Sequence, residues 1–245
     1  MTAMMSHSCL PSAEQNIHDH SSGLVVDTLA LRRIKAGEEI SISYTELLAS
    51  TPARQHSLLT SKLFVCQCWR CREPGEGGSL ASAVKCSVCL KKDPHSPATL
   101  LPSPDPDFWT CSQCPVRVNT VQIQNLIFAL QAKLESVLET TSEVEDLERL
   151  LRKLGRVLPA SNAMLVRLKY SLSGLYGRAP GYQLFSLDRS QVERKRRLCE
   201  DTLEALDILQ PGYSCRRGMV LYELHTALLL CGRQNIQVIL RARSS

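Results

Sequence analysis

The spacing of the cysteines most constrains how this chain of 245 residues can fold. Seven of its 11 cysteines have only one or two residues between them and the next cysteine of their cluster: Cys66, Cys68, Cys71, Cys86, Cys89, Cys111 and Cys114. Thiolates two residues apart on a tight turn can bind one tetrahedral zinc ion at about 2.3 Å each. Two successive pairs, as in the last four of these cysteines, are typical of a zinc ribbon. The sequence therefore predicts a fold that depends on metal.

These cysteines divide into two predicted zinc sites. The second site is complete by itself, with His95 as a weaker alternative ligand; its members are Cys86, Cys89, Cys111 and Cys114. The first site has only three ligands, Cys66, Cys68 and Cys71, whereas a closed structural zinc site needs four. Cys9 is the one cysteine upstream and is therefore the natural fourth ligand. His56 and His7 are rival ligands, and Cys9 could instead be a small buried core residue.

A disulfide framework is the alternative interpretation of the same cysteines. Disulfides persist in oxidising compartments, and no signal-peptide pattern precedes these residues. No apolar stretch reaches the roughly 18 residues that a membrane span requires. We therefore expect two zinc ions rather than disulfides, no membrane partner, and a location in the cytoplasm, the nucleus or both.

The composition is that of an ordinary globular protein of one or two domains, with 44% hydrophobic and 22% charged residues. The formal net charge of +5 permits an acidic partner but does not require nucleic acid. A basic run at 194–197 lies between Glu193 and Glu200 on a predicted helix. Such a run is more typical of a solvated helix face than of a nucleic-acid site. Nucleic acid is therefore an unlikely partner.

The first half of the chain combines strands with metal-dependent loops. Residues 1–45 are rich in strand patterns, with predicted strands at 24–31 and 39–44. A short helix is predicted at 52–63 because Pro52 suits a first helical turn. Residues 72–110 are rich in glycine and proline and cannot fold by apolar burial alone. A metal in the second cysteine set would supply the missing core.

From about residue 116 the apolar residues recur with the period of a helix. A capping-box pattern at Ser142–Glu145 predicts the start of another helix, and further helices are predicted at 161–176, 188–209 and 214–232. Long helices joined by short turns favour a stack of helical hairpins related to tetratricopeptide (TPR) repeats.

Three segments carry motifs in a fixed order. Residues 6–12 read Ser-His-Ser-Cys-Leu-Pro-Ser, residues 37–44 read Gly-Glu-Glu-Ile-Ser-Ile-Ser-Tyr, and residues 64–71 read Phe-Val-Cys-Gln-Cys-Trp-Arg-Cys. They resemble, in turn, the Asn-His-Ser-Cys-x-Pro-Asn segment, the Gly-Glu-Glu…Tyr segment and the post-SET cysteine cluster of SET-domain lysine methyltransferases. Their order and spacing match the SET-and-MYND (SMYD) branch. The paired cysteines after Trp109 are most similar to arthropod-type members.

This resemblance covers essentially the whole chain and implies an α+β fold. It implies a partial SET-domain β-fold, a post-SET zinc site, a zinc-ribbon-like insert and a C-terminal TPR-like helical domain. The corresponding boundaries are 1–50 for the C-terminal half of the SET domain, 51–73 for the post-SET segment, 74–118 for the ribbon and 119–245 for the helices. Family members also have a MYND finger and glycine-containing strands before these motifs. We therefore expect the chain to correspond to an N-terminally truncated member.

The resemblance also implies an activity, namely methyl transfer from S-adenosylmethionine to a lysine of a histone or non-histone protein. Tyr44 would be the catalytic tyrosine, whose hydroxyl orients the lysine amine. The cofactor would be held by Ser6, by His7 through its main chain, and by Phe64 against the adenine. A knot-like crossing of two segments would carry Cys9 to the post-SET zinc.

Two residues depart from the family pattern and keep a second function open. The family's two asparagines are Ser6 and Ser12 here, and a serine offers fewer hydrogen bonds than an asparagine. We therefore expect weaker cofactor binding. The alternative is a catalytically inactive, zinc-stabilised scaffold whose helical domain binds protein partners.

Overall fold

The computed structural model describes residues 4–21, 23–140 and 143–243, with side chains as far as residue 236. It is a mixed structure of strands and helices. The strands are β1 (Ser6–His7), β2 (Ala13–His20), β3 (Gly23–Ala30), β4 (Ser41–Ile42), β5 (Val84–Lys85), β6 (Thr99–Pro102), β7 (Phe108–Cys111) and β8 (Arg117–Asn119). The helices are α1 (Thr51–Lys62), α2 (Trp69–Arg72), α3 (Ser87–Lys92), α4 (Thr120–Thr140), α5 (Val144–Leu154), α6 (Ala163–Leu175), α7 (Arg189–Leu209) and α8 (Cys215–Arg243).

The N-terminal strands bring the start of the chain beside residues 41–44. β1 pairs in parallel with β4, so that Ser6 lies opposite Ser41 and His7 opposite Ile42. β2 and β3 form an antiparallel hairpin. The predicted strand at 24–31 is confirmed as β3, but only two residues of the predicted strand at 39–44 pair. The sequence does not predict β2, because its residues are mainly polar.

Helix α1 has clear sequence signals at its first turn. The Ser50 hydroxyl accepts a hydrogen bond from the Ala53 N–H, and Pro52 lies in the first turn. The helix ends where Leu63 adopts a left-handed conformation with φ of 61°. Its observed bounds therefore differ by one residue at each end from the predicted helix at 52–63. This helix matters for the site because Arg54 and Gln55 project from it toward the first cysteines.

The ribbon segment is more regular than its composition suggests. β5, β6, β7 and β8 form an antiparallel sheet in that order, although no strand in it exceeds four residues. Strands this short have too few residues for an alternating pattern to be visible in the sequence. The ribbon shares a core with the helices, in which Trp109 and Leu100 pack with Ile123 and Ile127.

The helical half is a stack of consecutive helices. α5 packs on α6, α6 on α7 and α7 on α8. The predicted helices at 161–176 and 188–209 are confirmed, and the one at 214–232 extends to Arg243 as α8. Ser142 of the predicted capping box lies outside the described residues, and α5 begins at Val144. Among the described residues, no helix is both long and apolar enough to cross a bilayer.

The prediction of a solvated basic face at 194–197 is wrong for one of its members. Lys195 is fully buried, and its ammonium donates to the Ser173 and Tyr176 carbonyls at 2.6 and 2.7 Å and pairs with Glu223. The arginines around it pair with acidic side chains, as Arg194 does with Glu148. Arg194 and Lys195 therefore join α7 to other helices, whereas Arg196 and Arg197 pair with Glu193 on α7 itself.

Candidate active site and metal centres

The first cysteine group gathers thiols that are distant in the sequence. The sulfurs of Cys9, Cys66, Cys68 and Cys71 all lie within 4.8 Å of one another. The distance from Cys9 Sγ to Cys71 Sγ is 3.5 Å. Four sulfurs at about 2.3 Å from one tetrahedral zinc would be about 3.8 Å apart. The group therefore has the size and ligand type of a closed zinc site.

Local hydrogen bonds hold the three clustered members of this group. The Gln55 amide on α1 accepts from the Cys66 N–H at 2.9 Å and donates to the Cys66 carbonyl at 2.7 Å. Cys68 caps α2, and the Cys71 N–H donates to its carbonyl at 3.0 Å. Each thiol thus lies on backbone that is already fixed by a helix, which reduces the entropy lost when a metal binds.

Cys9 reaches the group because its segment is fastened to residues 41–49. The Ser8 N–H donates to the Ile42 carbonyl at 3.0 Å, continuing the pairing of β1 with β4. The guanidinium of Arg70 donates to the Cys9 carbonyl at 3.3 Å and to the Leu47 carbonyl at 2.9 Å. The predicted association of Cys9 with the later trio is therefore present in the structure.

Ser12, which stands at one of the family's asparagine positions, supports the same crossing. Its hydroxyl accepts a hydrogen bond from the Ser41 N–H at 3.0 Å, and its own N–H donates to the Ser41 carbonyl at 3.1 Å. Ser12 is fully buried. Its contacts bind one backbone segment to another, so Ser12 acts here as a structural residue.

A buried ionic triad lies beneath the first cysteine group and was not predicted from the sequence. Glu76 pairs with Arg54 at 3.0 Å and with Arg70 at 2.8 Å. Burial by itself would raise the pKa of Glu76, but the two guanidiniums outweigh burial and lower it. Glu76 therefore stays ionised and joins α1 to the segment that follows α2.

The second cysteine group lies at one end of the ribbon. The sulfurs of Cys86, Cys89, Cys111 and Cys114 again lie within 4.8 Å of one another. Cys86 and Cys89 come from the start of α3, whereas Cys111 ends β7 and Cys114 belongs to the turn before β8. None of the eight cysteines in these two groups forms a disulfide. Both predicted sets are thus brought together, and their role as metal ligands stays a prediction.

The rival histidine ligands lie outside both groups. His56 packs its ring against Phe128 at 5.6 Å, and the His95 side chain lies on an exposed turn. His7 is closer, with Nε2 at 3.3 Å from Cys9 Sγ. Among the described residues, each group of four potential ligands consists of cysteines only.

Three of the four candidate residues for cofactor binding and catalysis form a cluster of rings beside the first cysteine group. The ring of His7 lies 5.3 Å from that of Tyr44 and 5.8 Å from that of Phe64. The Tyr44 hydroxyl donates to the Met5 carbonyl, and Tyr44 stays about one-third exposed. Ser6, the remaining candidate, donates to Glu39 on the neighbouring segment.

The contacts of His7 fix which of its nitrogens carries the proton. The Tyr44 N–H donates to Nδ1 at 3.0 Å, so Nδ1 must be an acceptor. Burial lowers the pKa of His7 and favours the neutral ring. The remaining proton is therefore on Nε2, which faces the Cys9 sulfur. His7 thus links a candidate metal ligand to the backbone of the candidate catalytic tyrosine.

Comparison with known proteins places these observations in a family. Residues 1–45 match the SET domain family model. SET domain-containing protein SmydA-8, isoform B, from Drosophila melanogaster is 30% identical over 229 residues, which cover 91% of this chain and 48% of the relative. N-lysine methyltransferase SMYD2-B from Xenopus laevis is 28% identical over 174 residues, or 71% of this chain and 34% of the relative.

A third relative is similar over a shorter stretch. N-lysine methyltransferase SMYD2 from Homo sapiens is 38% identical over 69 residues, which cover 28% of this chain and 15% of the relative. The chain spans about half the length of the SmydA-8 relative and less of the others. With a SET-domain match at its start and SMYD-type similarity over most of its length, the chain belongs to the SMYD-type SET-domain family.

Proposed function

We propose that this protein is a protein-lysine N-methyltransferase that uses S-adenosylmethionine and acts on a histone or non-histone protein. One observation carries the proposal. Tyr44, His7 and Phe64 lie in one ring cluster, beside a cysteine group that the pairing of β1 with β4 helps to assemble. These are the residues that the family resemblance assigns to catalysis and cofactor binding.

The proposed chemistry requires positioning more than a reactive side chain. When bound, S-adenosylmethionine supplies a methyl group on a sulfonium. The Tyr44 phenol would orient the acceptor amine, because its backbone is held by His7 and its hydroxyl by the Met5 carbonyl. Oxygen atoms at such a position favour partial positive charge on a transferred group. Phe64, which is half-buried, would offer a ring face to the adenine, and Ser6 a hydroxyl.

We also propose that each cysteine group holds one structural zinc ion. The support is the all-sulfur donor set and the sulfur spacing of both groups. Such an ion would lock the Cys9 segment over α2 in the first group and close the ribbon in the second.

We further propose that the helical half is a TPR-like domain that binds protein partners. The support is the packing of α5 to α8 as consecutive helices. We place the protein in the cytoplasm, the nucleus or both.

Binding of the methyl donor tests this proposal. We expect calorimetry to detect S-adenosylmethionine binding that Phe64→Ala abolishes, because the substitution removes the adenine-facing ring. The matched control is Phe128→Ala, which removes a ring from α4 outside the cluster. Zinc content should be unchanged in both variants. A zinc-loaded wild-type protein that binds no donor would contradict the methyltransferase and favour an inactive scaffold.

A further inference from the structure

Arg54 is buried on α1 and donates to two sulfurs of the first cysteine group. Its Nε lies 3.2 Å from Cys9 Sγ, and its Nη2 lies 3.6 Å from Cys71 Sγ. A guanidinium carries only donors, so both sulfurs must accept these hydrogen bonds. The contact therefore places one positive charge against the sulfurs of both Cys9 and Cys71.

The other contacts of Arg54 fix the orientation of its guanidinium. Nη2 also donates to the Thr51 hydroxyl at 2.8 Å, and Nη1 pairs with Glu76 at 3.0 Å. A planar guanidinium that is already held by several polar contacts loses little conformational entropy when it donates to the sulfurs. The guanidinium is thus already oriented toward the cysteine group.

The charged side chains beside the first cysteine group carry a surplus of one positive charge. Arg54 and Arg70 contribute two positive charges, and Glu76 contributes one negative charge. All three side chains are almost completely buried. A buried charge without a partner is very costly, so this surplus positive charge needs a negative neighbour. Four thiolates around one Zn²⁺ would carry a net charge of −2 and would supply that neighbour.

The second cysteine group differs from the first in its charged neighbours. Within the described part of the chain, no arginine or lysine hydrogen-bonds to the sulfurs of Cys86, Cys89, Cys111 or Cys114. The neighbouring Lys85 instead donates to the Gly155 carbonyl at 2.6 Å. The Gln113 N–H donates to Cys111 Sγ at 3.4 Å, and this is a neutral donor. The two groups therefore differ in charge compensation while sharing the same donor set.

We infer that Arg54 is the counter-cation of the first cysteine group and determines how firmly that group retains its metal. The inference rests on the zinc occupancy proposed above. Outer-shell partners of metal ligands typically change metal affinity by about 10- to 100-fold when removed. The second group, whose sulfurs accept from no arginine or lysine among the described residues, is an internal reference within the same molecule.

Site-resolved alkylation of the zinc-loaded chain tests the role of Arg54. The protein is challenged with a chelator and N-ethylmaleimide, and labelling of each cysteine is followed by peptide mass spectrometry. Arg54→Met should accelerate labelling of Cys9, Cys66, Cys68 and Cys71 by about tenfold or more. Labelling of the second group should keep the wild-type rate. Arg32→Met, which removes a surface arginine paired with Glu38, is the matched control and should change neither group.

Two milder variants keep the test decisive if Arg54→Met does not fold. Arg54→Lys keeps the charge but cannot reach two sulfurs with a rigid fork, so its labelling rate should fall between wild type and Arg54→Met. Thr51→Val leaves Arg54 in place but removes the hydroxyl that orients it. It should accelerate labelling of the first group by less than about tenfold.

The outcomes separate this inference from the zinc proposal. Zinc-loaded variants whose first group is labelled at the wild-type rate would overturn the role of Arg54 and leave the metal sites standing. A wild-type protein that contains no zinc would overturn both. Acceleration confined to the first group supports the inference.

Discussion

At the scale of single residues, the candidate site depends on side chains that carry out no chemistry. His7 bonds to Tyr44 on one side and faces Cys9 on the other. Arg54 and Arg70 hold the same cysteine from its sulfur and its carbonyl. The position of the tyrosine is therefore tied to the state of a cysteine group that has no part in methyl transfer.

Replacement of Tyr44, the candidate catalytic tyrosine, distinguishes a role in methyl transfer from a role in metal binding. Tyr44→Phe should lower methyl transfer by about tenfold or more, because it removes the hydroxyl that orients the amine. Zinc content, measured by plasma mass spectrometry, should not change, because the ring and the backbone N–H remain. Tyr213→Phe, on a highly exposed tyrosine, is the control. Unchanged turnover in Tyr44→Phe would remove this residue from the site.

The sequence predicts the cysteine ligands but not the residues that support them. The cysteine spacing is visible locally, and the need for a fourth ligand makes Cys9 a candidate beside His7 and His56. Arg54, Arg70 and Glu76 have no such signal, because charged residues are usually exposed and their burial depends on contacts between distant segments. The role of Gln55 in holding Cys66 is hidden for the same reason.

At the scale of elements, the stability of the ribbon depends more on contacts at its two ends than on the hydrogen bonds between its strands. Strands of two to four residues contribute few hydrogen bonds. What anchors them is Trp109, packed in the core shared with α4, and the second cysteine group at the other end. The sequence predicts the long helices closely because each has a periodic apolar face, which the short strands lack.

Loss of one ligand in the ribbon tests this view. Cys111→Ser should reduce zinc from about two ions per chain to about one, because the closed four-ligand site is broken. The melting temperature should fall by roughly 5 °C or more, since binding of the metal contributes to folding. Cys215→Ser, on an exposed cysteine of α8, should change neither value. Equal zinc content in both variants would argue against the second metal site.

At the scale of the whole molecule, the SET-like strands are joined to the helical stack by the turn between α7 and α8. The Tyr213 N–H donates to the Leu31 carbonyl at 2.7 Å. Nearby, Arg216 pairs with Glu46 at 2.9 Å. The turn approaches so closely because Gly212 has no side chain. A Cβ there would lie 1.9 Å from the Leu31 oxygen.

Alanine at this glycine should weaken the junction. Gly212→Ala should lower the free energy of unfolding by about 2–4 kcal/mol, from backbone strain and from the clash with Leu31. Gly181→Ala is the matched control, because Gly181 also has a positive φ but has open space around it. It should cost only about 1 kcal/mol. Denaturant unfolding measures both, and equal losses would show that the contact with Leu31 contributes nothing.

The order in which the first cysteine group is synthesised has a consequence for folding. A ribosome delivers Cys9 long before it delivers Cys66, Cys68 and Cys71, and α1 lies in the interval. The proposed zinc site cannot form until the trio has emerged, and the loop between Cys9 and the trio must then close against its own entropy. The supply of zinc during translation would therefore determine how long the N-terminal strands remain without this metal cross-link.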